Sequence, residues 1–241
     1  MHDGRLPDGR SPILRTTRWS LIRRAIQQPE ALDQWAAGCW YPLYTWARHK
    51  GWSPEDAADA VQEFLGKICA GQKLSQADPV RGRFRSWLLA GFQNHLADRV
   101  SHGLRLKRGG GAPHLSLDHE HAERFYLEEM ATCDDAGRAT DKAWALSLMD
   151  EAMKRLERHY IDTGRQGLVE HLLPAIEEPL PDGGYRHAAR ELGMTESAVR
   201  QAVFRMRGRY RLHLLEVAGE WLGIHSEAQL QATLKELLGG A

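Results

Sequence analysis

The spacing of Ala189, Gly193 and Val199 commits one stretch of this chain to two helices that meet at a sharp turn. Residues 185–211 read YRHAARELGMTESAVRQAVFRMRGRYR. A helix-turn-helix needs a small residue where its helices touch, and Ala189 supplies it. Four residues on, the turn wants a residue tolerant of positive φ, and Gly193 stands there. Six residues later the second helix needs a compact apolar side chain facing the first, and Val199 fits. Thr195 is placed to N-cap that second helix. Its outward positions carry Ser197, Arg200, Gln201, Phe204 and Arg205, a set suited to phosphates and base edges in a major groove. An ordinary surface hairpin would satisfy the three small residues alone. The N-cap and the arginine run Arg200, Arg205, Arg207, Arg209 and Arg211 favour DNA contact.

The rest of the chain also reads as helix. No stretch alternates convincingly with period two, and β-branched residues are sparse, so the expected fold class is all-α. Thr17 is placed to cap a first helix over 18–27, with Trp19 and Ile22 inward. Pro29 suits the first turn of a second helix that runs towards Lys50 and that Pro42 should kink or divide. Trp35, Cys39, Tyr41, Leu43 and Trp46 mark it as largely buried, and Gly51 ends it. Ser53, Pro54, Glu55 and Asp56 form a strong helix start: a cap, a first-turn proline, then acids at the positive end of the dipole. The helix they open, 54–70, has Ala57, Val61, Phe64, Leu65 and Ile68 on one face. Asp56, Asp59, Gln62 and Glu63 lie mainly elsewhere and leave an acidic outer surface.

After a polar turn over 71–82, a basic aromatic helix follows, with Leu88, Leu89, Phe92, Leu96 and Val100 as its apolar stripe. Arg85, Trp87, Gln93, Asn94, Asp98 and Arg99 are then wholly or partly available to solvent. Gly109–Gly111 and Pro113 break the chain, and 112–140 is acidic with little periodicity, a linker with room for a short helix near 120–129. A helix is expected to start after Thr140, with Trp144, Leu148, Met149, Ala152 and Leu156 inward. Another is expected over 166–176, a Pro/Gly-rich loop over 178–184, and a final amphipathic helix over 226–238 with Leu230, Leu234, Leu237 and Leu238 apolar.

The net charge of zero conceals two basic blocks. Residues 81–111 hold seven basic residues against Asp98 alone, and 185–213 hold seven arginines against Glu191 and Glu196. Between them, 112–182 holds sixteen acidic residues against seven basic ones. Two positive patches separated by an acidic stretch suit a protein that touches nucleic acid at two places. Cys39, Cys69 and Cys133 are odd in number and widely spaced, which points to reduced thiols and a cytoplasmic protein rather than a disulfide frame or zinc site. No apolar run approaches the roughly 20 residues of a membrane span.

Catalytic patterns are absent from the sequence, so no catalytic residue, cofactor or metal is expected. His119, His121 and Glu123, within HEHAE, lack the histidine spacing of a zinc protease and read as solvated linker residues. The glycine run 109–111 has no following Lys-Ser/Thr, and no serine or cysteine sits in a nucleophile elbow. Phe84, Trp87 and Phe92 alternate with Arg83, Arg85 and Arg99 within seventeen residues. Such a track can stack single-stranded bases at about 1–3 kcal/mol each. The same aromatics also suit a helical core, which this pattern alone favours.

The succession WYPLYTWARHKG, SPEDAADAVQEFLGKIC, FRSWLLAGFQNHLADR, acidic linker and terminal helix-turn-helix resembles a bacterial extracytoplasmic-function sigma factor. TTRWSLI, RGRFRSWLL and KRGGGAP resemble a subgroup of sigma-like proteins, and the likeness covers about residues 12–215. It implies two small helical domains: a region 2-like domain over 12–103 after a disordered 1–11, and a region 4-like helix-turn-helix domain over 141–216. An acidic linker over 104–140 joins them and would thread towards the RNA exit path; a C-terminal extension covers 217–241.

The resemblance further implies that Asp56, Asp59, Gln62 and Glu63 hold core RNA polymerase. Arg85, Trp87, Asn94, Asp98 and Arg99 would open and capture the −10 element. Thr195, Ser197, Arg200, Gln201, Phe204 and Arg205 would read the −35 element of promoter DNA. The long segment 162–184 and the tail 217–241 depart from the family pattern and leave room for an anti-sigma factor or other regulator. The alternative is a helix-turn-helix regulator that binds DNA as a dimer. A third reading, an adaptor that binds proteins through its Leu-rich tail, predicts no DNA affinity.

Overall fold

The computed structural model describes residues 29–70, 84–101, 119–130, 133 and 135–238, which are helical with no strand among them. The helix expected over 18–27, the turn over 71–82 and the glycine break near 109–113 lie outside the described residues. The first described helix, α1 (Pro29–His49), keeps Pro42 inside it without being divided. Its buried side carries Cys39, Trp40, Leu43, Tyr44 and Ala47, with Trp40 stacked on Tyr44 at 4.8 Å one turn away.

Helix α2 (Pro54–Cys69) starts where local chemistry requires. The Ser53 side chain accepts from the Asp56 backbone N–H at 3.1 Å and donates to the Asp56 carboxylate at 2.9 Å. Its expected apolar face is buried, as are Ala58 and Ala60. Helix α3 (Phe84–Ser101) packs on it through Phe92 and Phe64, whose rings lie 5.3 Å apart. Leu88, Phe92 and Leu96 are buried, whereas Val100 is 63% exposed. The buried part of the apolar stripe therefore ends at Leu96, a turn before Val100.

One expectation about local structure holds and two change. The stretch near 120–129 forms α4 (His119–Glu129), and Ala122, Tyr126 and Met130 bury themselves against the first core. The following helix, α5 (Ala136–Asp162), starts four residues before Thr140, because Asp135 caps it by accepting from the Arg138 N–H at 3.0 Å. Thr140 is buried inside the helix and returns its hydroxyl to the Ala136 carbonyl at 2.6 Å. The segment expected as one helix over 166–176 divides into α6 (Gln166–Leu172) and α7 (Pro174–Glu177), with Pro174 beginning the second piece. After the loop come α8 (Gly184–Glu191), α9 (Glu196–Leu222) and α10 (Glu227–Leu237), the last capped by Ser226.

The apolar side chains form two clusters. The first joins α1, α2, α3 and α4 to the N-terminal half of α5, the C-terminal end of α9 and α10. The second joins Leu156 and Tyr160 of α5 to α6, α7, α8 and the N-terminal half of α9. The long helices α5 and α9 contribute to both clusters, and Tyr210 borders each. Arg155 ties the pair together, donating from Nη1 and Nη2 to both carboxylate oxygens of Glu220 at 2.8 and 2.6 Å.

Candidate functional site

Helix α8 meets α9 through small and compact side chains. Ala188, Ala189, Val199, Ala202, Val203 and Met206 are all buried there. The intervening turn closes with the Met194 N–H donating to the Ala189 carbonyl at 2.8 Å. Gly193 sits at φ 59°, where a β-carbon is disfavoured. Thr195 caps α9, its hydroxyl accepting from the Ala198 N–H at 3.2 Å. Because one side of α9 is committed to α8 and the second core, Ser197, Arg200, Gln201, Phe204 and Arg205 are all left exposed. Phe204 is 79% exposed, an unusual position for an aromatic that only packs.

The charge around this face is positive but not uniform. Arg186, Arg190, Arg205, Arg209 and Arg211 reach solvent. Arg207 turns inward, its Nε and Nη2 donating to the Ala175 carbonyl at 2.9 and 2.7 Å. It holds α9 on α7 and leaves the expected arginine run. Arg200 lies over the Tyr185 ring at 4.2 Å and donates from Nη2 to Glu196 at 2.8 Å. The Tyr210 phenol, half-buried beneath the face, has its pKa pushed up to about 12 by burial, helped by Glu177 and Asp150.

The acidic face of α2 is smaller than expected. Asp59 is exposed, and Asp56 and Gln62 are half-buried. Glu63 points across to α3 and accepts from Arg99 at 2.5 Å and from Lys67 at 2.6 Å. Its carboxyl lies below the ordinary range: burial pushes it up, but the Lys67 hydrogen bond and the charges of His95, Lys67 and Arg99 outweigh that. Arg99 is only 11% exposed, so this ion pair joins a residue expected at the polymerase to one expected at DNA. Arg85 is likewise paired, with Asp141 at 2.6 Å.

Asn94 and Asp98 are exposed on α3, and Trp87 is half-buried against the first core. Phe92 is fully buried, so it belongs to the core and not to a stacking track. The Phe84 side chain lies outside the described residues, as do those of Trp35, His119 and His121.

Glu123 had been expected in solvent and is instead docked on α1. It accepts from Arg48 Nε at 2.9 Å and Nη2 at 2.7 Å, and from the Tyr44 hydroxyl. Burial raises its pKa, yet the Arg48 and Tyr44 hydrogen bonds and the Arg48 charge hold it below the ordinary range. Arg48 also covers the Tyr126 ring at 5.1 Å. Sequence alone carries no signal for this contact, since 75 residues separate Arg48 from Glu123.

Among the described residues no group of three or more His, Cys, Asp or Glu side chains is placed to hold a metal, and no helix is long and apolar enough to cross a membrane. No protein-family model, curated protein or solved structure matches the chain.

Proposed function

We propose that this chain is a sigma-type initiation factor: a subunit without catalysis of its own that binds core RNA polymerase, reads the −35 and −10 elements of promoter DNA, and directs transcription initiation. The observation that carries the reading is the outer face of α9. Ser197, Arg200, Gln201, Phe204 and Arg205 stand together in solvent on a helix whose other side is locked to α8 across a tight glycine turn. In this proposal the two helices are a DNA-reading helix-turn-helix, with α9 entering the major groove from its N-terminal turns. Phosphate attraction from the neighbouring arginines supplies affinity, and the polar side chains on α9 supply base readout.

The ordered likeness of the upstream segments to sigma factors extends this from DNA binding to initiation. Asp59, with Asp56 and Gln62, is the acidic surface available to a basic partner on α2. Asn94 and Asp98 are exposed on α3, where an unpaired strand would approach. Arg99 and Glu63 face each other, so engagement of polymerase and of the −10 strand would exchange that contact for new ones. The fold classes of the rival readings are the same; their partners differ.

The test is reconstitution. The purified chain, mixed with core RNA polymerase at low salt, is expected to co-migrate with it as one copy and to support transcription from promoters identified by sequencing transcripts after overexpression. Failure to form the complex would remove the initiation reading. A stable dimer on palindromic duplex, with no polymerase bound, would establish the dimeric regulator in its place. Lack of any DNA affinity would leave the protein-binding adaptor.

A further inference from the structure

Arg200 is the one candidate base-reading side chain whose resting position is set by two neighbours. Its guanidinium carbon lies 4.2 Å from the centre of the Tyr185 ring, and its Nη2 donates to Glu196 at 2.8 Å. Tyr185 comes from the first turn of α8 and Glu196 from the first residue of α9, so the N-terminal starts of both helices hold the same arginine. The Arg200 side chain nevertheless keeps 58% of its surface in solvent. Covering one face with a ring while leaving edge N–H groups outside is the arrangement that a planar donor fork needs. An arginine so held has less rotational freedom to lose when it binds, and preorganisation of this kind raises affinity for the matching partner above others.

We infer that Tyr185 is a positioning residue for Arg200, holding its guanidinium edge-on for the paired acceptors of a guanine in duplex DNA. The major-groove edge of guanine offers two acceptors at the spacing of an arginine fork. A free phosphate oxygen can be reached by a mobile arginine from many directions, so stacking helps base selection more than general attraction. The inference rests on the duplex-reading proposal above and adds a residue to it. The ring and not the hydroxyl does the holding, because the contact is to the π face.

The experiment separates the two levels. Wild-type protein is used to select a sequence from a pool of short random duplexes. Affinities of the wild type and its variants are then compared on the selected duplex and a scrambled one across a salt series. Tyr185→Ala is expected to lower the selected-to-scrambled ratio by about two- to fivefold, the worth of one exposed cation–π contact. The salt slope should stay the same, since no phosphate contact is lost. Tyr185→Phe should keep the wild-type ratio, and Tyr185→Ala should add nothing to Arg200→Ala.

Tyr185 also borders the second core, so Tyr185→Leu serves as the packing control and should lose selectivity as the alanine variant does. An unchanged ratio in either the Ala or the Leu variant overturns the inference, as does full additivity with Arg200→Ala. If the wild type selects no duplex at all, the DNA-reading proposal falls first and this one with it.

Discussion

Gly38 faces Trp221 so closely that a Cβ at position 38 would lie 2.0 Å from the indole Cη2. The two residues belong to α1 and to the last turn of α9, and Trp144 of α5 meets the same indole edge-on at 6.5 Å. A glycine notch on one helix thus admits the largest side chain of another, and the N-terminal helices are keyed onto the α5–α9 pair. Trp221 is 6% exposed, so most of its apolar surface is withdrawn from water by this fit.

Filling the notch should therefore cost stability. Gly38→Ala is expected to destabilise by about 1–3 kcal/mol through overpacking, and Trp221→Ala by about 3–5 kcal/mol through the cavity it leaves. Once Trp221 is alanine, the extra methyl at position 38 meets no ring and gains helix propensity, so the double variant should be no less stable than Trp221→Ala. Urea midpoints for the four proteins decide this. Strict additivity would show that the two sites do not touch.

The Glu123 contact predicts a pH dependence with a definite sign. Its folded pKa is depressed, by Arg48 and Tyr44 against burial. Its contribution is complete above the ordinary carboxyl pKa and disappears as pH falls through the lower folded value. Glu123→Gln should cost about 1–3 kcal/mol at neutral pH. The gap between wild type and variant should close in acid, below about pH 4. Denaturation measured at both pH values tests it, and a gap of constant size would dispose of the ion pair as a source of stability.

Asp59 and Glu63 should separate although both lie on the acidic helix. Asp59 is exposed, so Asp59→Lys should leave stability within about 0.5 kcal/mol while weakening capture of core RNA polymerase. Glu63→Lys strips the half-buried Arg99 of its carboxylate and sets a third cation beside Lys67. A loss of about 1–3 kcal/mol in folding free energy is expected from that change alone. Thermal melts alongside a polymerase pull-down distinguish the two variants. Equal effects of both on folding would mean that the Glu63–Arg99 pair contributes nothing.

Phe204 and Arg205 offer a test free of folding artefacts, because neither is buried. Alanine at either position should leave the thermal midpoint unchanged and weaken duplex binding. For Arg205, loss of a phosphate contact would lower the salt slope by about one and weaken all sequences alike; loss of a base contact would relax specificity at one position. Arg207→Ala should behave differently, destabilising the second core through the Ala175 carbonyl while barely affecting DNA. Retention of full affinity by both the Phe204 and Arg205 variants would remove α9 as the reading helix.

Much of this was legible because it is local. The Ser53 and Thr195 caps, the positive-φ Gly193, the buried face of α2 and the inward Val199 of α9 all follow from residue type and local spacing. Caps compete with one another, however. Thr140 reads as a helix start in isolation, but Asp135 captured the helix a turn earlier and left Thr140 inside. Exposure along a helix was less legible: Val100 continues the apolar stripe of α3, yet most of its surface is exposed.

The sequence by itself determined the all-helical character, the turn geometry between α8 and α9, and which α9 side chains have no helix to pack against. Those are outcomes of backbone preferences and period, which act over a few residues. Only the tertiary structure decided that Arg99 is held by Glu63, that Glu123 fastens α4 to α1, and that Trp221 seats at Gly38. Each of these joins residues 36 to 183 positions apart. Such a contact depends on how whole helices dock, and on a charge or an indole finding its complement once water has been excluded.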